Sequence, residues 1–132
     1  MTGLILAVLA LFVVQCLLPA FLRYYSSGSG FGAKLSLALG TRDEQPPLSI
    51  VGRRAKRALA NMFEALPVFL TLAILLHLMG DASRLATSGA AVFLLSRAAY
   101  VPAYLAGIYA VRTLLWLAGW AGLLMMLAAL VG

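Results

Sequence analysis

Four long apolar stretches, separated by polar segments, follow one another along the chain. They cover about residues 3–22, 59–79, 85–105 and 113–131. A helix needs ~20 residues to cross a hydrocarbon core about 30 Å thick. Open strands cannot cross lipid with unpaired backbone groups, and no segment alternates as a barrel strand does. The pattern therefore predicts four transmembrane helices, over about residues 3–24, 50–79, 82–106 and 110–131.

The connections between these helices differ in length. The first, about residues 25–49, is a long polar loop that contains glycine, serine and proline. The second, residues 80–83, is a short turn in which Asp81 or Ser83 is a candidate N-cap for the third helix. The third, around residues 107–111, is also short. Because short connections make consecutive helices antiparallel neighbours, we expect an all-α, up-down four-helix bundle.

Composition supports a membrane location. Apolar residues make up 64% of the 132 residues and charged residues 11%, against roughly 45–50% and about 25% in soluble domains. A chain this short cannot bury so much apolar surface within itself, so lipid must cover the remainder. The length allows a single domain over residues 1–132.

The formal net charge of +6 is concentrated in one part of the chain. Seven of the ten cations lie between positions 23 and 57: Arg23, Lys34, Arg42, Arg53, Arg54, Lys56 and Arg57. No base-stacking aromatics alternate with them, so nucleic-acid binding is not expected. Basic loops favour the cytoplasmic side, which places the long loop there and both termini on the opposite side. The same charges could bind an anionic ligand or a lipid headgroup.

A polar stripe runs along the second predicted helix. Arg54, Arg57, Asn61 and Glu64 are spaced by three, four and three residues and therefore share one helical face. Charged side chains within membrane helices are costly and are functional hypotheses by default. This stripe should face the bundle interior or a neighbouring subunit.

The third and fourth helices bring similar side chains to the same half of the membrane. Arg97, Tyr100 and Tyr104 share one face of the third helix, and Arg112 and Thr113 begin the fourth. Several cations with one acid leave net positive charge there, which favours an anionic occupant. The structural alternative is that Glu64 pairs with Arg97 or another arginine and only holds the bundle together.

Other reactive side chains give weaker indications. Cys16 is the single cysteine and cannot form an intrachain disulfide, so we expect it to pack as a small hydrophobe. His77 lies thirteen residues beyond Glu64, about 20 Å along the helix, and cannot join the polar cluster. No metal-ligand constellation is visible.

Two segments resemble the signatures of a known family. The run of arginine, asparagine, glutamate and proline at Arg57, Asn61, Glu64 and Pro67 resembles the second-helix pattern of the MAPEG family, the membrane-associated proteins of eicosanoid and glutathione metabolism. The segment from Phe93 through Arg97 and Tyr104 to Arg112-Thr113 resembles the third- and fourth-helix pattern. Length, helix number and the long first loop also fit, so the resemblance covers essentially the whole chain.

The resemblance implies a homotrimer with glutathione bound between subunits and a hydrophobic small molecule as second substrate. Members conjugate the thiol to electrophiles, reduce lipid peroxides or isomerise a lipid endoperoxide. By position, Arg112 would lie beside the sulfur, with Thr113 as a hydroxyl partner. The remaining side chains would hold glutathione: Arg57, Asn61, Glu64, Arg97, Tyr104 and, on the face of Arg97, Tyr100. Arg23 would reach the glutathione of a neighbouring subunit.

Two departures narrow the expected activity. Ala60 stands where some members carry an arginine, and the spacing from Arg97 to Arg112 is a residue shorter than in prostaglandin-forming members. The expected function is therefore a membrane glutathione transferase or peroxidase of the bacterial branch. Two alternatives come from other classes: a proton-coupled transporter that uses Glu64, and a non-catalytic scaffold or lipid-binding relative.

Overall fold

The chain folds into four helices within the part that the structure describes. The structure is a computed structural model that describes residues 1–25, 47–80 and 83–132 and the isolated positions 30, 32 and 35. The helices are α1 (Thr2–Tyr25), α2 (Ile50–Leu78), α3 (Arg84–Ala106) and α4 (Tyr109–Val131). All four are long and apolar enough to cross a membrane. The all-α, four-helix membrane fold is confirmed, and each helix begins and ends within two residues of the expected bound.

Serine hydroxyls begin the second and third helices. The Gly52 amide donates to Ser49 Oγ at 3.1 Å, and the Ala86 amide donates to Ser83 Oγ at 3.2 Å. Each bond satisfies a backbone donor that the first turn of a helix leaves without an intrahelical acceptor. Ser83 is therefore the cap of α3, whereas Asp81, the other candidate, lies outside the described residues.

Helices α3 and α4 are the most closely packed pair. They cross at Gly89 and Gly122, where a methyl group added to Gly122 would lie 2.7 Å from the Gly89 carbonyl oxygen. It would also lie 2.8 Å from the backbone nitrogen of Phe93. Small residues allow membrane helices to approach closely and gain dispersion contacts along their length. Both glycines are therefore required by the separation of the two backbones.

The apolar core lies between these helices and α2. The Phe69 ring of α2 stacks on the Phe93 ring of α3 with centroids 4.6 Å apart, and both side chains are fully buried. Buried aliphatic and methionine side chains surround them: Val8, Met62, Ala65, Leu66, Leu72, Ala73, Leu76, Ala86, Ala90, Leu123 and Met126. Only Val8 in this set comes from α1.

Helix α1 lies at the edge of the bundle, against α2. The Phe12 ring meets the Phe63 ring edge-on at 5.0 Å. Only 11% of the most apolar part of α1 is buried within the chain, against 39% for α2 and for α3. Leu6, Val13, Val14, Leu17 and Phe21 are all more than half exposed. Lipid or another subunit must cover this surface.

Candidate functional site

Arg97 is the largest fully buried side chain of the described residues, with 1% of its surface exposed. It projects from α3 toward α2, where its Nη1 donates to the Asn61 side-chain oxygen at 2.7 Å. The guanidinium also lies 5.3 Å from the Phe93 ring centroid and 5.8 Å from that of Tyr100. Arginine stacks readily on aromatic faces, and these contacts partly compensate the cost of burying its charge.

The space for this guanidinium comes from a glycine of α4. A methyl group at Gly119 would lie 3.1 Å from Arg97 Nε and 3.2 Å from its central carbon, closer than side chains normally approach. The Nε and Nη2 atoms of Arg97 are buried without a hydrogen-bond partner among the described residues. Because such donors are costly to leave unsatisfied, two of the three nitrogens of this buried guanidinium could still donate to an acceptor.

The polar stripe of α2 faces mostly outward in the single chain. Arg57 and Glu64 are exposed and Asn61 is half-buried. Glu64 forms no ion pair within the described part of the chain, and Arg97 bonds to Asn61 instead. The pairing of Glu64 with Arg97, weighed above as a structural alternative, is therefore not formed within the described chain. Asn61 contacts the bundle interior, and whether a neighbouring subunit covers Arg57 and Glu64 stays a prediction.

Arg54, at the start of the same stripe, has a different environment. Its Nη1 donates to the Leu105 carbonyl at 2.8 Å, near the end of α3. The guanidinium lies against Gly107, where an added methyl group would be 2.8 Å from it. Gly107 ends α3 in the left-handed region, with φ 79°, and the Ile108 amide bonds back to the Ala103 carbonyl. Arg54 thus fastens α2 to the C-terminal end of α3.

Arg112 lies at a small cavity between α3 and α4. The cavity has a volume of about 250 Å³ and is lined by Tyr100, Tyr104, Arg112, Thr113 and Trp116. The Arg112 guanidinium lies 4.9 Å from the Tyr104 ring centroid and 5.5 Å from that of Tyr109. It is half-buried and has no carboxylate partner within the described ranges. Two aromatic rings therefore position a cation that remains available to an anion.

Thr113 is present at this cavity, but its hydroxyl proton is already used. Thr113 Oγ1 donates to the Tyr109 carbonyl at 3.0 Å. A hydroxyl has one proton and two lone pairs, so in this conformation Thr113 can accept a hydrogen bond from a thiol. It cannot donate to a thiolate without first breaking its bond to Tyr109. Arg112 is the stronger candidate for contact with a negative sulfur.

Arg23 and Arg57 line a second, larger cavity of about 630 Å³ between the end of α1 and the start of α2. Its described lining also includes Pro47, Leu48, Arg53, Lys56 and Ala60. We call it the basic cavity, and we call the one at Arg112 the tyrosine cavity. The two share no lining residue.

The single chain therefore divides the predicted site residues into groups. Tyr100, Tyr104, Arg112 and Thr113 meet in the tyrosine cavity, and Arg97 with Asn61 lies beside Tyr100 in the interior. Arg23 and Arg57 lie in the basic cavity, and Glu64 is exposed outside both.

Sequence reasoning did not assign a role to three residues that shape these places, Arg53, Lys56 and Gly119, or predict the bond from Arg54 to the Leu105 carbonyl. The density of cations at the start of α2 was the available signal for Arg53 and Lys56. The two glycines of α4, Gly119 and Gly122, are the kind of small residue that marks close helix contacts in membranes.

Comparison with known proteins identifies the family. No curated protein and no solved structure matches the chain at a significant level. The model of the MAPEG family matches residues 2–132, which is essentially the whole chain. The match covers all four helices and both cavities. The chain belongs to the MAPEG family.

Proposed function

We propose that this protein is a membrane-bound glutathione transferase or peroxidase. Membership of the MAPEG family supports a role in glutathione or eicosanoid metabolism in general terms. The observation that carries the finer assignment is Arg112, a half-buried cation held by two tyrosine rings at the wall of a cavity.

Arg112 has the properties that thiol activation requires. A thiol must lose its proton to attack, and a nearby guanidinium stabilises the resulting thiolate. Since the Arg112 guanidinium stacks on Tyr104 and Tyr109 and bonds to no carboxylate in the described chain, its charge is not neutralised before the substrate arrives. Trp116 and Tyr104 give the same cavity apolar walls for a hydrophobic second substrate.

Glutathione matches the remaining charges. It carries two carboxylates and one ammonium, so it calls for cations in excess of acids. Arg57 and Arg23 offer the cations and Glu64, exposed and unpaired within the described residues, offers the acid. Only 1% of the Arg97 side chain is exposed, so it can make little contact with a bound glutathione. We therefore assign it chiefly the positioning of Asn61 and Tyr100.

The proposed ligand set requires more than one subunit. Arg112 lines one cavity and Arg23 and Arg57 line another, while Glu64 faces outward. A homotrimer in which the outward face of α2 meets a neighbouring chain would bring these groups around one glutathione. The small buried fraction of α1 also supports coverage by another chain or by lipid.

The chemistry needs no group beyond glutathione and the second substrate. In conjugation, the thiolate electron pair forms a sulfur–carbon bond to the electrophile and the leaving group departs with its bonding electrons, while the thiol proton goes to water. In peroxide reduction, two glutathione thiols give up two electrons and form a disulfide. The hydroperoxide is reduced to an alcohol and water. Arg112 stabilises the negative sulfur at the start of both reactions.

The test is titration of the detergent-purified protein with glutathione, following thiolate formation by ultraviolet absorbance at neutral pH. We expect saturable thiolate formation that disappears in Arg112→Ala and persists in Arg84→Ala, which removes an exposed arginine from the opposite end of the bundle. Absence of thiolate in the native protein would remove glutathione as the thiol. Thiolate that survives in Arg112→Ala would remove Arg112 from this role.

The transporter hypothesis receives less support from the geometry. A proton-coupled carrier needs an acid that is alternately occluded, whereas Glu64 is exposed in the single chain. Proton-driven uptake by reconstituted vesicles would separate the two functions, because a transferase should show none.

A further inference from the structure

The basic cavity contains more positive charge than the proposed thiol site uses. Arg23, Arg53, Lys56 and Arg57 line it, and no carboxylate is part of its described lining. Arg53, Lys56 and Arg57 are exposed, and Arg53 donates one hydrogen bond to the nearby Leu48 carbonyl at 2.8 Å. Glutathione binding assigns roles to Arg23 and Arg57 but none to Arg53 and Lys56. Neither Arg53 nor Lys56 forms an ion pair with a residue that the structure describes.

The cavity lies where the C-terminal end of α1 meets the N-terminal end of α2, so we expect it at the level of the lipid headgroups. Arg23 is in the last turn of α1, and Arg53 and Lys56 are in the first two turns of α2. The 29 residues of α2 extend about 43 Å, which exceeds a hydrocarbon core of about 30 Å by roughly 13 Å, or about two and a half turns. The first turns of α2 therefore lie beyond the hydrocarbon, where phosphate groups are found.

Exposed and mainly apolar side chains continue from this cavity along one face of α2. Lys56, Ala60, Phe63 and Pro67 are spaced by four, three and four residues and are all exposed. At Pro67 they reach a third cavity, of about 320 Å³, which is lined by Pro67, Val68, Thr71 and Leu72. From Lys56 to Pro67 the helix rises about 16 Å, roughly half of the hydrocarbon core and thus the depth of one leaflet.

We propose that this face of α1 and α2 binds an anionic phospholipid. Its phosphodiester lies in the basic cavity against Arg53 and Lys56, the two cations of the lining to which glutathione binding assigns no role. One acyl chain follows Ala60 and Phe63 toward the cavity at Pro67. Guanidinium and ammonium groups are suited to phosphate, and basic pockets between transmembrane helices are known positions for anionic headgroups. The inference does not depend on the thiol chemistry.

The experiment measures thermal unfolding of the full chain in maltoside micelles that contain increasing fractions of dioleoyl-phosphatidylglycerol. We expect a saturable rise in the midpoint temperature, and no such rise with dioleoyl-phosphatidylcholine. Each basic residue near an anionic surface is worth about a fivefold change in affinity. Lys56→Gln should therefore raise the half-saturating lipid fraction about fivefold, and R53Q/K56Q roughly 25-fold.

Matched variants separate charge from folding. R53K/K56R keeps both charges and should bind like the native chain, and Arg84→Gln, a single charge removed at the other end of the bundle, should leave the half-saturating fraction unchanged. Equal binding of phosphatidylglycerol by R53Q/K56Q and the native chain would overturn the proposal. So would an equal effect of phosphatidylcholine. Stabilisation by inorganic phosphate alone, at the same concentration, would assign the cavity to a soluble anion and remove the lipid.

Discussion

The two halves of the bundle are built on different principles. Helices α3 and α4 touch through backbone atoms at Gly89 and Gly122 and enclose a charged arginine with 1% exposure. Helices α1 and α2 meet through aromatic edges and leave a basic cavity and an exposed apolar face. The contact between α3 and α4 is made by backbone atoms within one chain, whereas the apolar surface of α1 must be covered by lipid or another chain. Chemistry that needs fixed geometry should therefore depend on α3 and α4, and ligand or lipid contact on α1 and α2.

The largest expected effect concerns Arg112, the cation that aromatic rings of α3 and α4 hold in place. Arg112→Ala should lower turnover at least 100-fold, since loss of one preorganised electrostatic contact to the reacting charge costs 10²–10³ in rate. Stability should change little, because Arg112 is only half-buried at the start of α4. Steady-state conjugation and thermal unfolding measure the two quantities. Arg112→Lys, which keeps charge but loses the planar fork, should lie between; full activity in Arg112→Ala would contradict the assignment.

The next effect breaks the close contact itself. Gly122→Ala places a methyl group 2.7 Å from the Gly89 carbonyl oxygen and 2.8 Å from the Phe93 nitrogen, both backbone atoms that cannot rotate away. We expect a loss of about 1–3 kcal/mol in the free energy of unfolding, typical of overpacking. Gly3→Ala in α1 is the control, since a methyl group there has no neighbour within 4 Å. Equal stability of the two variants would mean that the α3–α4 separation is not fixed by these glycines.

A smaller effect tests whether Glu64, on the exposed surface of α2, contributes to ligand binding. Glu64→Gln should weaken glutathione binding about tenfold, because a hydrogen bond to a charged group contributes about 1.5–3 kcal/mol. The thermal midpoint should stay unchanged, as Glu64 is exposed and forms no ion pair with any described residue. Isothermal titration with glutathione provides the measurement. Unchanged affinity would leave Glu64 a structural or interface residue.

The smallest effect tests the connection between the halves. Arg54→Met removes the bond to the Leu105 carbonyl and should lower the free energy of unfolding by about 1 kcal/mol. Lys56→Met is the matched control, because Lys56 is exposed and donates no hydrogen bond to a described residue. Thermal unfolding in detergent compares them. A larger loss of unfolding free energy in Lys56→Met would mean that contacts in the basic cavity hold α2 in position more than the Arg54–Leu105 bond does.

The helices could be predicted from the sequence because the requirement that produces them is local. An apolar run long enough to cross lipid must satisfy its backbone within itself, so composition alone located α1 and α4. Position before an apolar run made Ser83 one of two candidate caps, with Asp81, and the structure shows that Ser83 caps α3. The shared face of Arg97, Tyr100 and Tyr104 followed from helical periodicity, and the structure places all three within the bundle or at its tyrosine cavity.

The contacts between helices could not be predicted in the same way. Periodicity says which side chains share a face of one helix, but not how each helix is rotated relative to its neighbours. Asn61 is therefore the partner of Arg97 where Glu64 was the candidate. For the same reason, the sequence did not indicate that Arg54, a member of the polar stripe, donates to the Leu105 carbonyl 51 residues away. The basic cavity joins Arg23 to Lys56 across two helices, which no local pattern could indicate.

The end of α3 has a consequence for how this sequence can change over evolutionary time. Position 107 is restricted twice, by a left-handed backbone and by the guanidinium of Arg54 against it. Shortening the side chain at position 54 would remove the second restriction but not the first, which still costs a substituted residue roughly 1–2 kcal/mol. Arg54 can therefore be replaced while Gly107 stays, whereas replacing Gly107 first adds a shift of the Arg54 guanidinium to the cost of the left-handed backbone. Descendants of this chain should lose the arginine before they ever lose the glycine.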